Sequence, residues 1–282
     1  MSSQVAQNST QSNKKKPVSS NMYTLDTFHP TSSNISIVNF KANAVSKLGE
    51  SGVFKHNGDY FSVILKDLQT PFGAKLVEIA NQNSSSANQK PKYALTFSVP
   101  EDSSLHIMFD ELDEAVYSYL DIPNPITDRI VGKNNKGVRK SRQAFESLYK
   151  SILKDGKEVE GTKYDRTFTA SITPEGVFTT EFYDKGSNLL SVTYDSENRN
   201  DPTYLSNVCP KGSKCNILMS PQFWKSGDNF GIKWQLRQVK VFVPEVNIVK
   251  GQCVLDDDDE QSNQQNQNDY EDPNFDDTGV EE

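Results

Sequence analysis

Cysteine is scarce in this chain of 282 residues, and long apolar runs are absent from it. The three cysteines, Cys209, Cys215 and Cys253, are few and odd in number, which argues against a disulfide framework. This cysteine usage favours a reducing compartment. No apolar run reaches the roughly 18 to 20 residues of a membrane helix, and the N-terminus lacks the apolar core of a secretory signal. We therefore expect an intracellular protein that does not enter a membrane.

Catalytic and metal-binding motifs are missing as well. The three histidines, His29, His56 and His106, stand in unrelated contexts, and no zinc-protease, nucleophile-elbow, Walker A or dinucleotide-binding motif occurs. Cys209 and Cys215 are separated by five residues, whereas zinc pairs are typically two to four residues apart and need a second pair. The sequence predicts buried or idle thiols, no metal, no cofactor and no enzymatic activity.

The net charge of −8 is concentrated at the C-terminal end. Residues 256–282 hold 12 acidic and no basic residues, so residues 1–255 carry 30 basic and 26 acidic residues, a net charge of +4. Because blocks of like charge repel and stay disordered, we expect 256–282 to form a disordered acidic tail. Residues 1–21, rich in Ser, Asn and Gln, are predicted to be disordered too. Their cluster Lys14–Lys16 is either a solvated segment or a nuclear-import or phosphate-contacting patch.

The domain between these tails, residues 22–255, is predicted to be mainly β. Strand-like segments with period-two alternation are separated by turn signals. Pro174–Gly176, between two of them, predicts a hairpin turn. The predicted strands are 34–40, 60–67, 93–99, 166–173, 176–184 and 188–195.

Two segments have helical periodicity instead. Residues 109–120 carry one apolar stripe, with acids in the first turns where the helix dipole favours them and where we expect a solvated face. Residues 142–154 carry the second stripe, with Ser141 as N-cap and Gly156 as the stop.

Residues 129–142, RIVGKNNKGVRKSR, contain six basic residues and no acid. The glycines and the Asn pair predict a mobile loop that follows a phosphate backbone without fixed geometry. A solvated surface loop is the alternative. The candidate nucleic-acid-binding residues of this basic loop are Lys133, Lys136, Arg139, Lys140 and Arg142.

Basic and aromatic residues also share one face of the segment 223–243, FWKSGDNFGIKWQLRQVKVFV. The apolar phase changes near Gln238, which predicts a β-bulge there and leaves Trp234 on the core side. Such a basic strip with aromatics is typical of single-strand grooves, where rings stack on bases. The candidate residues are Trp224, Lys225, Lys233, Arg237, Lys240 and Phe242. Lys55 and Tyr60 at an Asn57-Gly58 hairpin tip, and Lys211 and Lys214 beside Gly212, complete the predicted interface.

The acidic tail fits this basic body. Asp256, Asp257, Asp258 and Asp259 can mimic a phosphate backbone and occupy the basic groove, or dock basic partner proteins. Tyr270 and Phe275 would serve as apolar anchors. The alternative is a tail that only keeps the protein in solution.

A β-rich body, a basic loop and a closing acidic tail with an embedded aromatic resemble single-stranded DNA-binding proteins of tailed phages. GIKWQLRQVKVF at 231–242 is similar to the last barrel strand of their relatives in nucleo-cytoplasmic large DNA viruses. The resemblance covers about 22–255 and the tail, and it implies an oligonucleotide-binding (OB) barrel with inserted helices. The chain departs from the pattern at its end, because Phe275 lies seven residues inside it.

We therefore expect an OB-like protein that binds and protects single-stranded DNA without sequence preference during replication, recombination or repair. Its tail would compete for the DNA groove and dock replication proteins, at a viral replication site in the host cytoplasm or nucleus. A homo-oligomer is possible. The alternatives are a viral structural or assembly protein without nucleic-acid binding, and an acidic-tailed chaperone of basic proteins.

Overall fold

The structure, a computed structural model, describes residues 21–42, 49–77, 92–156, 158–159, 161–176, 178–194 and 200–244. The predicted acidic tail, Cys253, the cluster Lys14–Lys16 and a loop predicted at 82–91 lie outside the described residues. The domain boundaries therefore stay predictions. Among the described residues, no helix is both long and apolar enough to cross a membrane.

The described residues form strands and helices in the following order. They are β1 (Asn21–Thr24), β2 (Ile35–Ala42), β3 (Glu50–His56), β4 (Phe61–Gln69), β5 (Ala74–Val77), β6 (Lys92–Val99), α1 (Ser104–Asp121), α2 (Pro125–Val131), α3 (Arg142–Glu146), β7 (Tyr149–Lys150), β8 (Glu158–Val159), β9 (Thr162–Lys163), β10 (Arg166–Ile172), β11 (Glu181–Tyr183), α4 (Leu205–Val208), β12 (Lys214–Ser226) and β13 (Asn229–Phe242).

Eleven of the described strands form one open mixed sheet, along the path β1-β4-β12-β13-β10-β6-β5. Five of them curl, because β4 and β6, which are separated by three strands on this path, come into contact again. The ring runs β4, β6, β10, β13, β12 and back to β4. Numbered in chain order, these strands are first, second, third, fifth and fourth, and the third and fifth, β10 and β13, are parallel. This is the arrangement of a partly open OB barrel. The predicted class, mainly β and OB-like with inserted helices, is confirmed.

The core lies inside this curl, beneath α1. Phe97 of β6 stacks on Phe168 of β10 with 5.1 Å between ring centroids, and Phe109 of α1 lies 4.9 Å from Phe168. Phe109 also meets Trp234 of β13 at 6.2 Å. All four rings are buried, as the strand alternation predicts for Phe97, Phe168 and Trp234 and the helical stripe predicts for Phe109. Burying large aromatic side chains contributes most of the stabilisation of such a core.

The first predicted helix is confirmed, but it begins earlier. Its N-cap is Ser103, whose Oγ accepts a hydrogen bond from the backbone N–H of His106. The acids therefore lie beyond the first turn, and the face is not wholly solvated, because Asp113 is buried. Tyr149 Oη and Ser151 Oγ donate to its carboxylate over 2.6 and 2.5 Å.

The second predicted helix, 142–154, is wrong beyond Glu146. Ser141 is the N-cap of the short α3, although its side chain makes no capping bond, and Gly156 lies well past the end. Tyr149 and Lys150 instead pair in parallel with β13 as β7. The apolar stripe is buried as expected, but strand pairing overrides the local helical preference.

The hairpin predicted at Pro174–Gly176 is wrong, whereas the hairpin tip predicted at Asn57-Gly58 is present. The segment after Pro174 forms β11, which pairs in parallel with β13 and not with β10, and 188–194 forms isolated bridges instead of a strand. At the other site, Asn57 and Gly58 both have positive φ, as a tight turn requires. His56 and Asp59 form an antiparallel bridge across this turn. Beyond it, β3 and β4 both pair with β12 rather than with each other.

Helix α2 was not predicted from the sequence. Its N-cap Asn124 accepts from the backbone N–H of Ile126 and Thr127 at 2.9 and 3.0 Å, and Thr127 Oγ1 accepts from the N–H of Asn124. Pro125 occupies the first turn. This capping box with proline is the signal in the sequence that would have identified the helix.

The two described cysteines are buried, as predicted. Cys209 Sγ and Cys215 Sγ lie 3.8 Å apart as free thiols. Their mutual hydrogen bond, together with burial, raises the pKa of the Cys215 thiol. A thiol held in its protonated form is unreactive.

Candidate nucleic-acid interface

The antiparallel strands β12 and β13 form a long ribbon with one side in the core. Ser220 lies opposite Gln235, Gln222 opposite Lys233, and both pairs alternate with buried residues. We call the opposite, polar side the outer face. It is extended by strands on both flanks, because Val53 lies opposite Gln222 and Ser171 lies opposite Gln235. Its named residues are Lys55, Ser62, Thr169, Ser171, Lys214, Asn216, Leu218, Ser220, Gln222, Trp224, Lys233, Gln235, Arg237, Lys240 and Phe242.

A β-bulge in β13 makes the outer face continuous. Leu218 lies opposite Gln238 and Met219 opposite Leu236, so Arg237 is the extra residue. The bulge predicted near Gln238 is thereby confirmed. It brings Lys240 and Phe242 to the same side as Lys233, although the spacing along the strand is odd. Trp234 stays on the core side, only 1% exposed.

The floor of the outer face consists of short, uncharged polar side chains. Ser62 Oγ and Ser220 Oγ lie 2.8 Å apart, and Gln235 Nε2 donates to Gln222 Oε1 over 2.9 Å. Thr96 Oγ1 and Thr169 Oγ1, on the neighbouring strands, lie 3.1 Å apart. These side chains satisfy one another's hydrogen bonds within the floor. A ligand can therefore lie over them without breaking into the core.

Arg237 stands at the centre of this floor. Its Nε donates to Ser220 Oγ over 3.1 Å, and its Cζ lies 4.2 Å from the ring centroid of Phe178. Its Nη1 is buried and has no hydrogen-bond partner. Burial lowers the pKa of this guanidinium. A buried, charged donor without an acceptor costs free energy that an anion would recover.

Phe178 was not predicted as a site residue. It is 61% exposed, yet its ring covers the Arg237 guanidinium. The sequence assigned its segment to a regular strand, which gave no reason to single it out. A bulky aromatic beside Gly176 in a turn was the available signal.

The other cations of the outer face are also placed beside aromatic rings or desolvated. Burial, and secondarily Lys92, lowers the pKa of Lys233. Lys55 Nζ donates to Gly58 O and lies 5.0 Å from the ring centroid of Tyr60. Lys240 Nζ lies 5.7 Å from the ring centroid of Phe242. Cations beside exposed rings can contact phosphates while the rings stack on bases.

These cations have no carboxylate partner within the described part of the chain. None of the ion pairs there, which join nitrogen and oxygen atoms within 4.0 Å, contains Lys55, Lys233, Arg237 or Lys240. The pKa of Asp184 is lowered mainly by Asn188 and only slightly by Lys240. Lys240 Nζ donates instead to Ser187 Oγ over 2.8 Å.

The basic loop differs in this respect. Arg139 donates to the Asp128 carboxylate and to the Leu120 carbonyl. Lys140 Nζ lies 3.0 Å from Asp228, and Arg142 pairs with Glu114 at 2.8 Å and with Glu146 at 2.6 Å. Residues 129–131 belong to α2, so the loop begins at Gly132. Of the five predicted residues in this loop, only Lys133 and Lys136 are exposed. The mobility of the loop stays a prediction.

The remaining predicted residues lie at the two ends of the ribbon. Trp224 is half-buried on the outer face, but Lys225 points to the other side, where its Nζ donates to Arg129 O over 2.8 Å. Lys214, opposite Phe242, is exposed at the far end with Lys211 in the preceding loop. Asp256, Asp257, Asp258, Asp259, Tyr270 and Phe275 lie outside the described residues.

No family model and no curated protein matches this sequence. Among solved structures, the fold is similar to the single-stranded DNA-binding protein of bacteriophage Enc34 in complex with ssDNA, at 12% identity and a TM-score of 0.36, over 74% of this chain and 97% of that one. It is also similar to gp2.5, the single-stranded DNA-binding protein encoded by bacteriophage T7, at 13% identity and a TM-score of 0.35, over 66% of this chain and 96% of that one. Values of this size are too low to say what this chain binds.

Proposed function

We propose that this chain is a non-enzymatic protein that binds single-stranded DNA along the outer face, without sequence preference. The observation that carries the proposal is the Arg237 guanidinium beneath the exposed ring of Phe178, because its buried Nη1 has no hydrogen-bond partner. Because Nη1 is buried, a phosphate oxygen would supply its missing acceptor after a small shift of the side chains that cover it. A base stacked on Phe178 would add about 1–3 kcal/mol whatever its identity.

The shape of the outer face supports single strands over duplex. Its cations and rings alternate along a shallow ribbon, so that one backbone can be followed while its bases lie on exposed aromatics. Lys214, Trp224, Lys233, Arg237, Lys240 and Phe242 share that surface. DNA rather than RNA, and a role in replication, recombination or repair at a viral replication site, rest on the sequence resemblance to proteins of phages and nucleo-cytoplasmic large DNA viruses.

The acidic tail is proposed to compete for the same face and to dock replication proteins when DNA displaces it. Pro244 lies beside Gly212, at the end of the ribbon that carries Lys214 and Phe242. The twelve residues from there to Asp256 can span at most about 40 Å. That reach is comparable to the length of β13, so the clustered aspartates can lie over the outer face.

Titration of labelled oligothymidine, followed by fluorescence anisotropy at two salt concentrations, tests the proposal. Salt-sensitive binding that unlabelled duplex does not displace is the expected result. No binding by either the full chain or a 1–255 truncation would reject it. It would favour the assembly-protein alternative, which predicts a stable oligomer.

The tail is tested with the same titration. Truncation after residue 255 should raise the affinity at low salt, and so should a full-length variant in which Asp256–Asp259 are changed to Asn. This second variant keeps the length and removes only charge. Equal affinities of all three forms would reject competition by the tail.

A further inference from the structure

A second basic surface lies at the turn that joins β12 to β13. An open cleft of about 570 Å³ lies between this turn and the basic loop. Three lysines and a single acid line it together with uncharged residues. Its charged lining residues are Lys133, Lys136, Lys140 and Asp228. We call this the loop cleft.

The lysines of the loop cleft are presented by a hydrogen-bonded turn. Asn134 Oδ1 accepts from the backbone N–H of Lys136 at 2.9 Å and of Val138 at 3.1 Å. Gly137, at a φ of 75°, donates its N–H to Asn134 O over 2.9 Å. Lys140 N–H donates to Gly132 O over 3.1 Å. The turn therefore sets the direction in which Lys133 and Lys136 leave the backbone.

Asp228 is the only carboxylate among the residues that line the cleft. It lies 3.0 Å from Lys140 Nζ. The Asp228 side chain is 72% exposed, whereas that of Lys140 is only 16% exposed. The exposed Asp228 carboxylate therefore contacts the mostly buried Lys140 ammonium from the solvent side, where an external anion would also bind. Lys133 and Lys136 form no ion pair among the described residues and leave an excess of positive charge.

We propose that the loop cleft binds a phosphate group, which displaces the carboxylate of Asp228 from Lys140. A phosphate carries more charge than a carboxylate and offers more oxygens, so it can engage Lys140 together with Lys133 and Lys136. The source of the phosphate rests on the proposed function. It is either a terminal phosphate or a backbone phosphate of a strand that continues past Trp224, which lies on the outer face close to this turn.

The site itself is tested without nucleic acid. Lysine-reactive labelling, followed by mass spectrometry, is compared in inorganic phosphate and in chloride of equal ionic strength. Phosphate should protect Lys133, Lys136 and Lys140, and Asp228→Asn should strengthen the protection about two- to fivefold, because an exposed ion pair is weak. Lys163, exposed and paired with Glu101 at 3.5 Å, is the control and should not change. Equal labelling in the two salts would overturn the proposal.

The source is distinguished with oligothymidines of two lengths, with and without a 5′-phosphate. If the 5′-phosphate strengthens binding to the wild type but not to Lys133→Gln/Lys136→Gln, the source is the terminal group. If the double variant binds only the longer strand more weakly than the wild type does, with or without the 5′-phosphate, the source is the backbone. If all oligomers bound the two proteins equally, the phosphate bound in the loop cleft would not come from nucleic acid. If no oligomer binds at all, the proposed function fails while the inorganic-phosphate result stands.

Discussion

The outer face and the basic loop carry similar numbers of cations but use them differently. On the outer face, Lys233 and Arg237 are desolvated and lack carboxylate partners in the described chain. In the basic loop, Arg139 and Arg142 are held by Asp128 and Glu114 and tie the loop to α1 and α2. The density of basic residues in a sequence therefore does not say which of them are available to a ligand. Availability depends on where the acids of other segments lie.

The largest expected effect comes from removing the central cations of the outer face. Lys233→Gln/Arg237→Gln should weaken oligothymidine binding about 100-fold or more, because each charged hydrogen bond contributes about 1.5–3 kcal/mol. The slope of log K against log salt should fall by about 1.4, for two phosphate contacts on a single strand. Anisotropy titrations at several salt concentrations measure both quantities.

Lys163→Gln is the control, since it removes an exposed lysine of β9, outside the outer face. It should shift the affinity only slightly. If the outer-face variant bound within threefold of the wild type, the outer face would lose its assignment.

The stacking platform comes next. Phe178→Ala should cost about 1–3 kcal/mol of binding, a loss of about five- to 150-fold, with an almost unchanged salt slope because no charge is removed. Tyr164→Ala is a suitable comparison, because Tyr164 is similarly exposed, at 54%, and lies outside the outer face. Indistinguishable affinities of the two variants, again by anisotropy, would exclude a stacking role for Phe178.

Removing the paired arginines of the basic loop should change stability rather than binding. Arg139→Gln/Arg142→Gln should leave the affinity within about twofold, while urea denaturation shows a loss of about 1–3 kcal/mol, mainly from the partly buried bonds of Arg139. This differs from the expectation from the sequence, in which the whole loop contacts DNA. A tenfold loss of affinity in a variant that remains folded would restore these arginines to the interface.

The smallest effect on binding is expected at Asp113, which joins α1 to the segment of β7. Burial raises the pKa of Asp113 to about 6, despite hydrogen bonds from Ser151 and Tyr149. Because this pKa is higher in the folded than in the unfolded chain, its contribution to stability is full below pH of about 4 and is lost as the pH rises through about 6. The loss is on the order of 3 kcal/mol.

Asp113→Asn should therefore flatten the pH dependence of the free energy of unfolding between pH 4 and 7, without changing DNA affinity. Urea denaturation at several pH values measures the difference from the wild type. A parallel pH dependence in the two proteins would show that the Asp113 carboxyl does not titrate in this range.

The strands with clear alternation, β2, β4, β6, β10 and β13, could be predicted from the sequence, because alternation is a local property. Strands β3 and β5 and most of β12 were not predicted. The buried sets around Phe97 and Phe168, the core position of Trp234 and the bulge beside Gln238 all follow from residues two or three positions apart. The pairing partners could not be predicted in this way. Both β7, which contains Tyr149, and β11 pair with β13, which is distant in the chain. These long-range contacts override the local preferences for a helix and a hairpin.

The candidate site was predictable to a similar extent. The side of β13 that carries Lys233, Arg237 and Phe242 follows from the sequence pattern once the bulge is included. The pairing of Arg142 with Glu114 or of Arg139 with Asp128 depends on how α1 and α2 pack, and no local pattern reports it. The position of Phe178 over Arg237 depends on a turn between two strands that do not pair.

Intrinsic tryptophan fluorescence tests the central claim most directly, because the chain has two tryptophans, one on the outer face and one in the core. Oligothymidine should quench the wild type through Trp224. Trp224→Phe, in which only Trp234 remains, should still bind by anisotropy and show almost no quenching. If Trp224→Phe were quenched as strongly as the wild type, or if the wild type bound the strand without any change in fluorescence, DNA would not lie along the outer face.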